Sequence, residues 1–479
     1  MKFDNQNAKL TIKKSTLLGS KIFSISDQMA FAEASGDFNP IHINSIAARR
    51  FLYGECVVHG IHGLLWALDL VSIKSNFTLE EVKVVFKKPI FLNKIINCYW
   101  NKKVNIIKLF SSSNLLAEIS IKVVKKIKNN THFSIGRKKR LKDPLKINMT
   151  ELKVNTKHSH YFHGSLDVLN KLFPIFLKKF GENLLIETAA LSEIVGMQVP
   201  GLNSLFISAH IKYEKKKEKP YFLIENLDKR FGLVNLLVRA YNSKCKLSAV
   251  YRPEIVDVPK IKYINKNIKI EKNEFKNCKA LIIGGSRGLG AWVAKILAAG
   301  KGQSTITYVN GLNEAKSIEK DINFSNKLCH IKYLNIKNKF IFDLSSYNQI
   351  YYFASPKIMK SYKKKLDKRL YNKYYKYYVL LFEKILDEAK LYKNIKAIFY
   401  PSTVFLNTQE EGFKEYLKAK NLGEELCKKT NLLKKMMVIY SRLPKMETDQ
   451  TSSLVKTSNA DPVKILTPLI RQLKKQIEN

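Results

Sequence analysis

A carboxylate and an imidazole stand five positions apart in Ser35-Gly36-Asp37-Phe38-Asn39-Pro40-Ile41-His42-Ile43-Asn44, and Val57-Val58-His59-Gly60 follows. Asp37 and His42 flank an Asn-Pro turn, where each can take up or release a proton. Gly60 opens an apolar stretch that reads as a helix, so its amide lies where a growing negative charge is stabilised. Such a set suits proton removal beside a carbonyl and stabilisation of the resulting enolate. A second set lies far downstream. Tyr416 and Lys420 are four residues apart in a helical pattern and project from one face. A lysine ammonium there would lower the phenol pKa, and Ser402, just after an apolar strand, would hold a substrate oxygen. Between the two sets, Gly284-Gly285-Ser286-Arg287-Gly288-Leu289-Gly290 supplies the backbone freedom needed to approach a pyrophosphate.

Each set needs particular elements around it. Residues 61–73 read as an apolar helix, 81–86 alternate as a strand, and 114–124 read as another strand. A basic, polar connector covers 125–146. Strand-like runs recur at 221–225 and 233–240, after Val195-Gly196-Met197-Gln198-Val199-Pro200-Gly201. Residues 256–276 are rich in Lys, Asn and Ile and read as a linker. From residue 279 strands alternate with helices, the mark of a parallel α/β sheet: strands at 280–283, 304–309, 349–354, 397–401 and 436–441, and a first helix at 291–299.

The run Ser-Gly-Asp-x-Asn-Pro-x-His with a following His-Gly resembles the signature of the MaoC-like, or (R)-specific enoyl-CoA hydratase, family of hot-dog folds. The resemblance implies addition or removal of water across the 2,3-bond of an acyl-CoA or acyl carrier protein thioester. By the same resemblance Asp37 and His42 form the acid/base pair, Asn44 orients the water or Asp37, and the Gly60 amide bonds the thioester oxygen. The loop Val195-Gly196-Met197…Pro200-Gly201 resembles another part of that family, and the first segment lacks it. Two half-complete copies imply a double hot-dog with one active site; a single hot-dog beside an unrelated α+β segment is the alternative. His59 and His62 are expected to be packing or helix-end residues, with no metal site.

Glycine turn, Ser and Tyr-x-x-x-Lys in this order resemble the short-chain dehydrogenase/reductase family over roughly residues 278–450. That implies a Rossmann-like fold in which Gly284, Ser286, Gly288, Gly290, Asn310 and Lys420 contact a dinucleotide, and Ser402, Tyr416 and Lys420 are catalytic. The second strand ends in Tyr308-Val309-Asn310 without an acid for a ribose hydroxyl, and Arg287 could pair with a 2′-phosphate, so NADPH is favoured over NADH. Three positions depart from the family pattern. Phe353-Ala354-Ser355-Pro356 stands where Asn-Asn-Ala-Gly is usual, Asn335 stands for an Asp, and the helix Asn is matched only loosely by Asn372 or Tyr375.

The expected fold class is an α+β double hot-dog followed by an α/β Rossmann-like doubly wound parallel sheet. The expected domains are 1–135, 150–255 and 277–479, with 256–276 between the last two. Together they would reduce a 3-oxoacyl thioester and dehydrate the (R)-3-hydroxyacyl product. The runner-up runs the same steps backwards, as in multifunctional β-oxidation enzymes; a silent Rossmann domain and a non-catalytic basic binding module are further alternatives.

The 479-residue chain has a formal charge of +44. Most of the excess is Lys beside heavy Asn and Ile use, the bias of an AT-rich genome; an acidic or phosphorylated partner is the competing explanation. An acidic carrier protein would use such a surface, with its phosphopantetheine phosphate at Arg137-Lys138-Lys139-Arg140, whereas nucleic acid is not the expected partner. Six cysteines without a C-x-x-C pair fit a reducing cytosol. A polar start and no long apolar run argue for a cytoplasmic protein without a membrane span, and short-chain reductases usually pair, so a homo-oligomer is expected.

Overall fold

The computed structural model describes residues 15–73, 77–124, 141–214, 219–252, 254–255, 257–324, 327–337, 342–361, 365–433, 436–451 and 458–478. The basic cluster 137–140 lies outside them. Two compact units divide between Glu254 and Ile255.

The first unit runs β1 (Thr16–Ile22), α1 (Ile25–Ser35), two short helices α2 (Pro40–Ile43) and α3 (Ser45–Ala48), α4 (Gly60–Ile73), then β2 (Thr78–Phe86), β3 (Ile95–Asn101), β4 (Ile106–Ser111) and β5 (Asn114–Val124). It continues with β6 (His158–Ser159), α5 (Leu166–Leu172), α6 (Pro174–Phe180), α7 (Glu182–Glu193), a π-helical turn (Ile194–Gln198), β7 (Ser204–Tyr213), β8 (Tyr221–Asp228), β9 (Leu233–Arg239) and β10 (Ser243–Tyr251). All ten strands join one antiparallel sheet in the order β1-β3-β4-β5-β2-β7-β10-β9-β8-β6. Read from its two edges, the sheet repeats one pattern: β1-β3-β4-β5-β2 and β6-β8-β9-β10-β7. The copies meet where β2 pairs with β7, Val82 opposite Ile211 and Val84 opposite Ala209. Strand residues alternate in burial, and their inward side chains close on α4 through Leu64, Leu65 and Leu68 and on α7 through Leu185, Ile186 and Ala189. One apolar core therefore spans both copies, as expected when half-sheets bury one face each.

In the second unit, β11 (Lys279–Ile283), β12 (Gln303–Tyr308), β13 (Cys329–Tyr333), β14 (Gln349–Tyr352), β15 (Ala397–Thr403) and β16 (Met437–Leu443) form a parallel sheet ordered β13-β12-β11-β14-β15-β16. Its helices are α8 (Ile261–Asn267), α9 (Gly288–Ala299), α10 (Leu312–Ile322), α11 (Lys368–Tyr375), α12 (Leu381–Ala389), α13 (Phe405–Thr408), α14 (Lys414–Leu432) and α15 (Pro462–Glu478), with a second π-helical turn at Lys376–Leu380. Successive residues of β11 enter opposite cores: Ala280 and Ile282 pack with α9 and α15, Leu281 and Ile283 with α12 and α14. Both faces are thus covered, which is why the central strands β11, β14 and β15 are buried along almost their whole length. The stretch 256–276 differs from the linker expected: α8 forms there, and Ile264 and Phe275 are fully buried. Two apolar residues at suitable spacing outweigh the polar composition around them.

No helix among the described residues is long and apolar enough to cross a membrane. All six cysteines are buried and free.

Candidate active site

Ser24 caps α1 in a reciprocal box with Asp27, and Gly36 ends the helix at φ 83°, donating its N–H to the Ala32 carbonyl. Glycine is needed here for the left-handed turn, and a Cβ would also approach within 3.0 Å of the Glu193 carboxylate. Asp37 follows directly and is 2% exposed. The Asn39 side chain caps α2 while Pro40 occupies its first turn. One turn later His42 emerges, its Nδ1 2.8 Å from the Val57 carbonyl oxygen. Only an N–H can serve that contact, so the Nε2 lone pair remains available for proton transfer.

The second copy builds the other wall. Ser192 at the end of α7 donates to Asp37 Oδ2 at 2.7 Å, and the Asn39 backbone N–H donates to Asp37 Oδ1 at 3.1 Å. The Asn39 side-chain amide donates to the Gly196 carbonyl at 2.8 Å and the Gly201 carbonyl at 3.1 Å. A Cβ on Gly196 would collide with the Asp37 carboxylate. The Val-Gly-Met segment therefore approaches Asp37 as closely as a backbone can.

Burial sets the proton affinities. Loss of solvent raises the Asp37 carboxyl to about 7, against the lowering effects of Ser192 and the Asn39 amide. Burial lowers His42 to about 4, opposed by the Val57 bond and reinforced by the Arg252 charge. Near neutral pH His42 is an uncharged base and Asp37 is poised to give or take a proton, two environments that push acid and base apart.

His59 differs from its expected packing role. Its ring stacks on His42 at 3.8 Å between centroids, its Nδ1 lies 2.9 Å from Gln28 Oε1, and its Nε2 lies 3.1 Å from the Asp37 carbonyl oxygen. Asp37, His42 and His59 each present a ligand atom, all within 4.8 Å of one another, a set able to hold a metal ion. His59 braces the pair from behind; the motif contained it, but only the fold shows it against both partners. His62 packs as expected, stacked on Phe31 at 4.6 Å. Asn44 does not face the pair through its Oδ1. That atom caps α3, accepting from Ile46 and Ala47 N–H, because an Asn ahead of a helix finds unsatisfied amides nearest. Gly60 is the first residue of α4, and a Cβ there would come within 2.8 Å of the Phe86 ring.

In the second unit, the glycine run links β11 to α9. Gly284 and Gly288 have φ of 82° and 56°, and a Cβ on Gly290 would come 2.7 Å from the Gly284 carbonyl. These positions fit a pyrophosphate laid on the first turn of α9, with Ser286 buried beside it. Asn310 is exposed beyond β12. Arg287 departs from its expected duty: its Nη1 is paired with Asp449 Oδ2 at 2.8 Å, a carboxylate in the place proposed for a 2′-phosphate.

Ser402 also departs. Its hydroxyl donates to Glu424 at 2.5 Å, and Arg442 clamps both oxygens of that carboxylate at 2.8 and 2.7 Å. Neighbouring strand residues point to opposite faces, and it is Thr403 whose hydroxyl bonds the Tyr416 phenol. Thr403 was missed because Ser402, one position earlier, was the more obvious hydroxyl. Lys420 donates to the Pro401 carbonyl and lies 5.9 Å from the Tyr416 ring centroid. Burial lowers its ammonium to about 7, offset by Cys427 and Glu424. The Tyr416 phenol is not lowered as expected: burial drives it up, outweighing the Thr403 bond. Asn372 and Tyr375 lie on α11, and the π-helical turn after it brings Tyr378 over Lys420 at 3.9 Å.

Comparison with solved structures finds short-chain dehydrogenase/reductases. An oxidoreductase, yciK, from E. coli is 13% identical with a TM-score of 0.37, over 43% of this chain and 92% of that one. FolM alternative dihydrofolate reductase 1 from Brucella canis, complexed with NADP, is 15% identical with a TM-score of 0.30, over 34% of this chain and 71% of that one. No curated protein matches the chain. Residues 6–118 match the family model described as MaoC like domain, so the segment that carries Asp37, His42 and Gly60 is a MaoC-like domain.

Proposed function

We propose that the first unit is a double hot-dog that removes water from (R)-3-hydroxyacyl thioesters, or adds it to the enoyl product. The observation that carries this reading is the Asp37–His42 pair, one residue with its basic nitrogen free and one carboxyl held near neutrality, inside a MaoC-like domain. In dehydration His42 Nε2 takes the proton from the carbon next to the thioester. Negative charge moves to the thioester oxygen, where the amides at the start of α4 meet it. Asp37 gives its proton to the departing hydroxyl, so one proton enters the pair and one leaves. The second copy supplies Ser192 and Gly196 and no acid/base turn, which accounts for one site in two repeats. The proposed division is a first copy over residues 1–135, a second over 150–255 and a parallel-sheet domain from 277.

The second unit is read as a Rossmann-like reductase of 3-oxoacyl thioesters. The glycine run would hold the dinucleotide pyrophosphate, and bound NADPH would supply hydride. Thr403 and Tyr416 would hold the substrate oxygen, and a phenol kept protonated by burial suits donation to an alkoxide. NADH is the second reading, favoured by the ion pair that commits Arg287 to Asp449. The substrate is an acyl-CoA or an acyl carrier protein thioester.

Incubation with acetoacetyl-CoA and NADPH, NADH or neither tests the joint reading. The expected products are 3-hydroxybutyryl-CoA and then crotonyl-CoA; Tyr416→Phe lowers reduction at least a hundredfold, and Thr403→Val lowers it more than Ser402→Ala. Full reduction in Tyr416→Phe, or no turnover with either cofactor, contradicts the reductase reading.

A further inference from the structure

Arg252, the residue after β10, is 1% exposed, and among the described residues no carboxylate pairs with its guanidinium. One nitrogen, Nη2, donates to the Leu202 carbonyl, the same oxygen that accepts from Asn39 Nδ2 at 3.3 Å. The guanidinium carbon stands 3.8 Å over the Phe51 ring. Its Nε and Nη1 are buried without a hydrogen-bond partner. The titratable groups that act on it are the Tyr251 and Tyr53 phenols, which burial keeps protonated and uncharged at physiological pH. A buried guanidinium with two idle donors and no acid is costly, and in a folded protein it calls for an anion. The shared Leu202 oxygen puts it beside the Asn39 cap, and hence beside Asp37, and its charge is felt at His42.

The position tells which anion. The phosphates of CoA or of phosphopantetheine sit at the far end of the pantetheine arm, on the water side of a thioester site. Arg252 lies in the buried wall next to the acid/base turn, so the anion belongs near the thioester. We propose that Arg252 receives a carboxylate carried by the acyl chain, making the preferred substrate of the first unit a dicarboxylic acid joined through one end as thioester. A carboxylate accepts two parallel N–H bonds from Nε and Nη1, the pairing for which a guanidinium is shaped. The inference rests on the acyl-thioester reading of the same site.

Binding of saturated thioesters tests it without requiring turnover. Calorimetry compares glutaryl-CoA with butyryl-CoA, which differ by the terminal carboxylate, and butyryl-CoA with butyryl-pantetheine, which lacks the phosphates and the adenosine they carry. The wild-type chain is expected to bind glutaryl-CoA at least tenfold more tightly than butyryl-CoA, the scale of a charge-assisted pair. Arg252→Met removes that preference and Arg252→Lys keeps part of it, with melting curves showing both variants folded. Equal binding of the two acyl chains by the wild type overturns the assignment, as does a preference that survives Arg252→Met. If Arg252→Met instead weakens butyryl-CoA relative to butyryl-pantetheine, the anion is a phosphate and the carboxylate assignment fails. Failure of the thioester reading itself would show separately, as no binding of any of the three by the wild type, and would remove this inference with it.

Discussion

Asp37 and His42 owe their opposite proton affinities to one cause, removal from water, acting on groups of opposite charge type. The signs follow for stability. Asp37 is raised from 3.8 to about 7, so its contribution is full below pH 3.8 and fades as pH rises through 7. His42 is lowered from 6.5 to about 4, so its contribution is full above pH 6.5 and fades as pH falls through 4. The pair holds one proton between those limits, and dehydration of (R)-3-hydroxybutyryl-CoA should show a plateau there and fall on either side. Ser192 bonds the charged form of Asp37, so Ser192→Ala should move the alkaline limb to higher pH; a pH–rate profile checks it, and an unmoved limb denies Ser192 that influence. At this scale the sequence was informative where the residues are neighbours. Asp37, His42 and Gly60 fall within one short motif. Ser192 reaches Asp37 across 155 positions and Arg252 reaches Leu202 across 50, and nothing local in the chain marks those contacts. Thr403 was hidden for a different reason: which of two adjacent hydroxyls faces Tyr416 depends on the phase of β15.

The element that completes the site is the π-helical turn after α7. It lays Gly196 against Asp37 and sends the Gly196 carbonyl to Asn39. Gly196→Ala should push the carboxylate out of place and lower crotonyl-CoA hydration about a hundredfold, the cost of a misplacement near 1 Å. Steady-state kinetics with a circular dichroism spectrum checks it; unchanged turnover would mean the turn can retreat. Strongly periodic elements were legible: β5 spans Asn114–Val124, and α4 begins one residue before the helix read from the apolar run. Five strands of the parallel sheet shift by a residue or two at their ends, and β13 is not among those read. The two π-helical turns, β1, β3, β4, β6, β10 and α8 were not legible either, because tertiary packing decides them. Ile264 in α8 becomes buried only once the neighbouring core exists.

At the scale of the whole chain, the repeated strand order supports the proposal that two incomplete copies share one site. One contributes the acid/base turn and the amides of α4, the other the serine and glycine that hold Asp37, and a shared core fixes them. The alternating pattern that points to the parallel sheet is also plain in the sequence, whereas the strand order itself comes from long-range pairing that composition does not encode. Hydration of enoyl thioesters by the Asp37–His42 turn is the proposal on which the rest depends. It is tested most directly by the loss of enoyl absorbance when crotonyl-CoA is mixed with the 479-residue chain, its Asp37→Asn variant and its His42→Ala variant. Hydration by the wild type and a loss of about a hundredfold or more in each folded variant are expected; hydration at the wild-type rate in both variants would contradict the assignment.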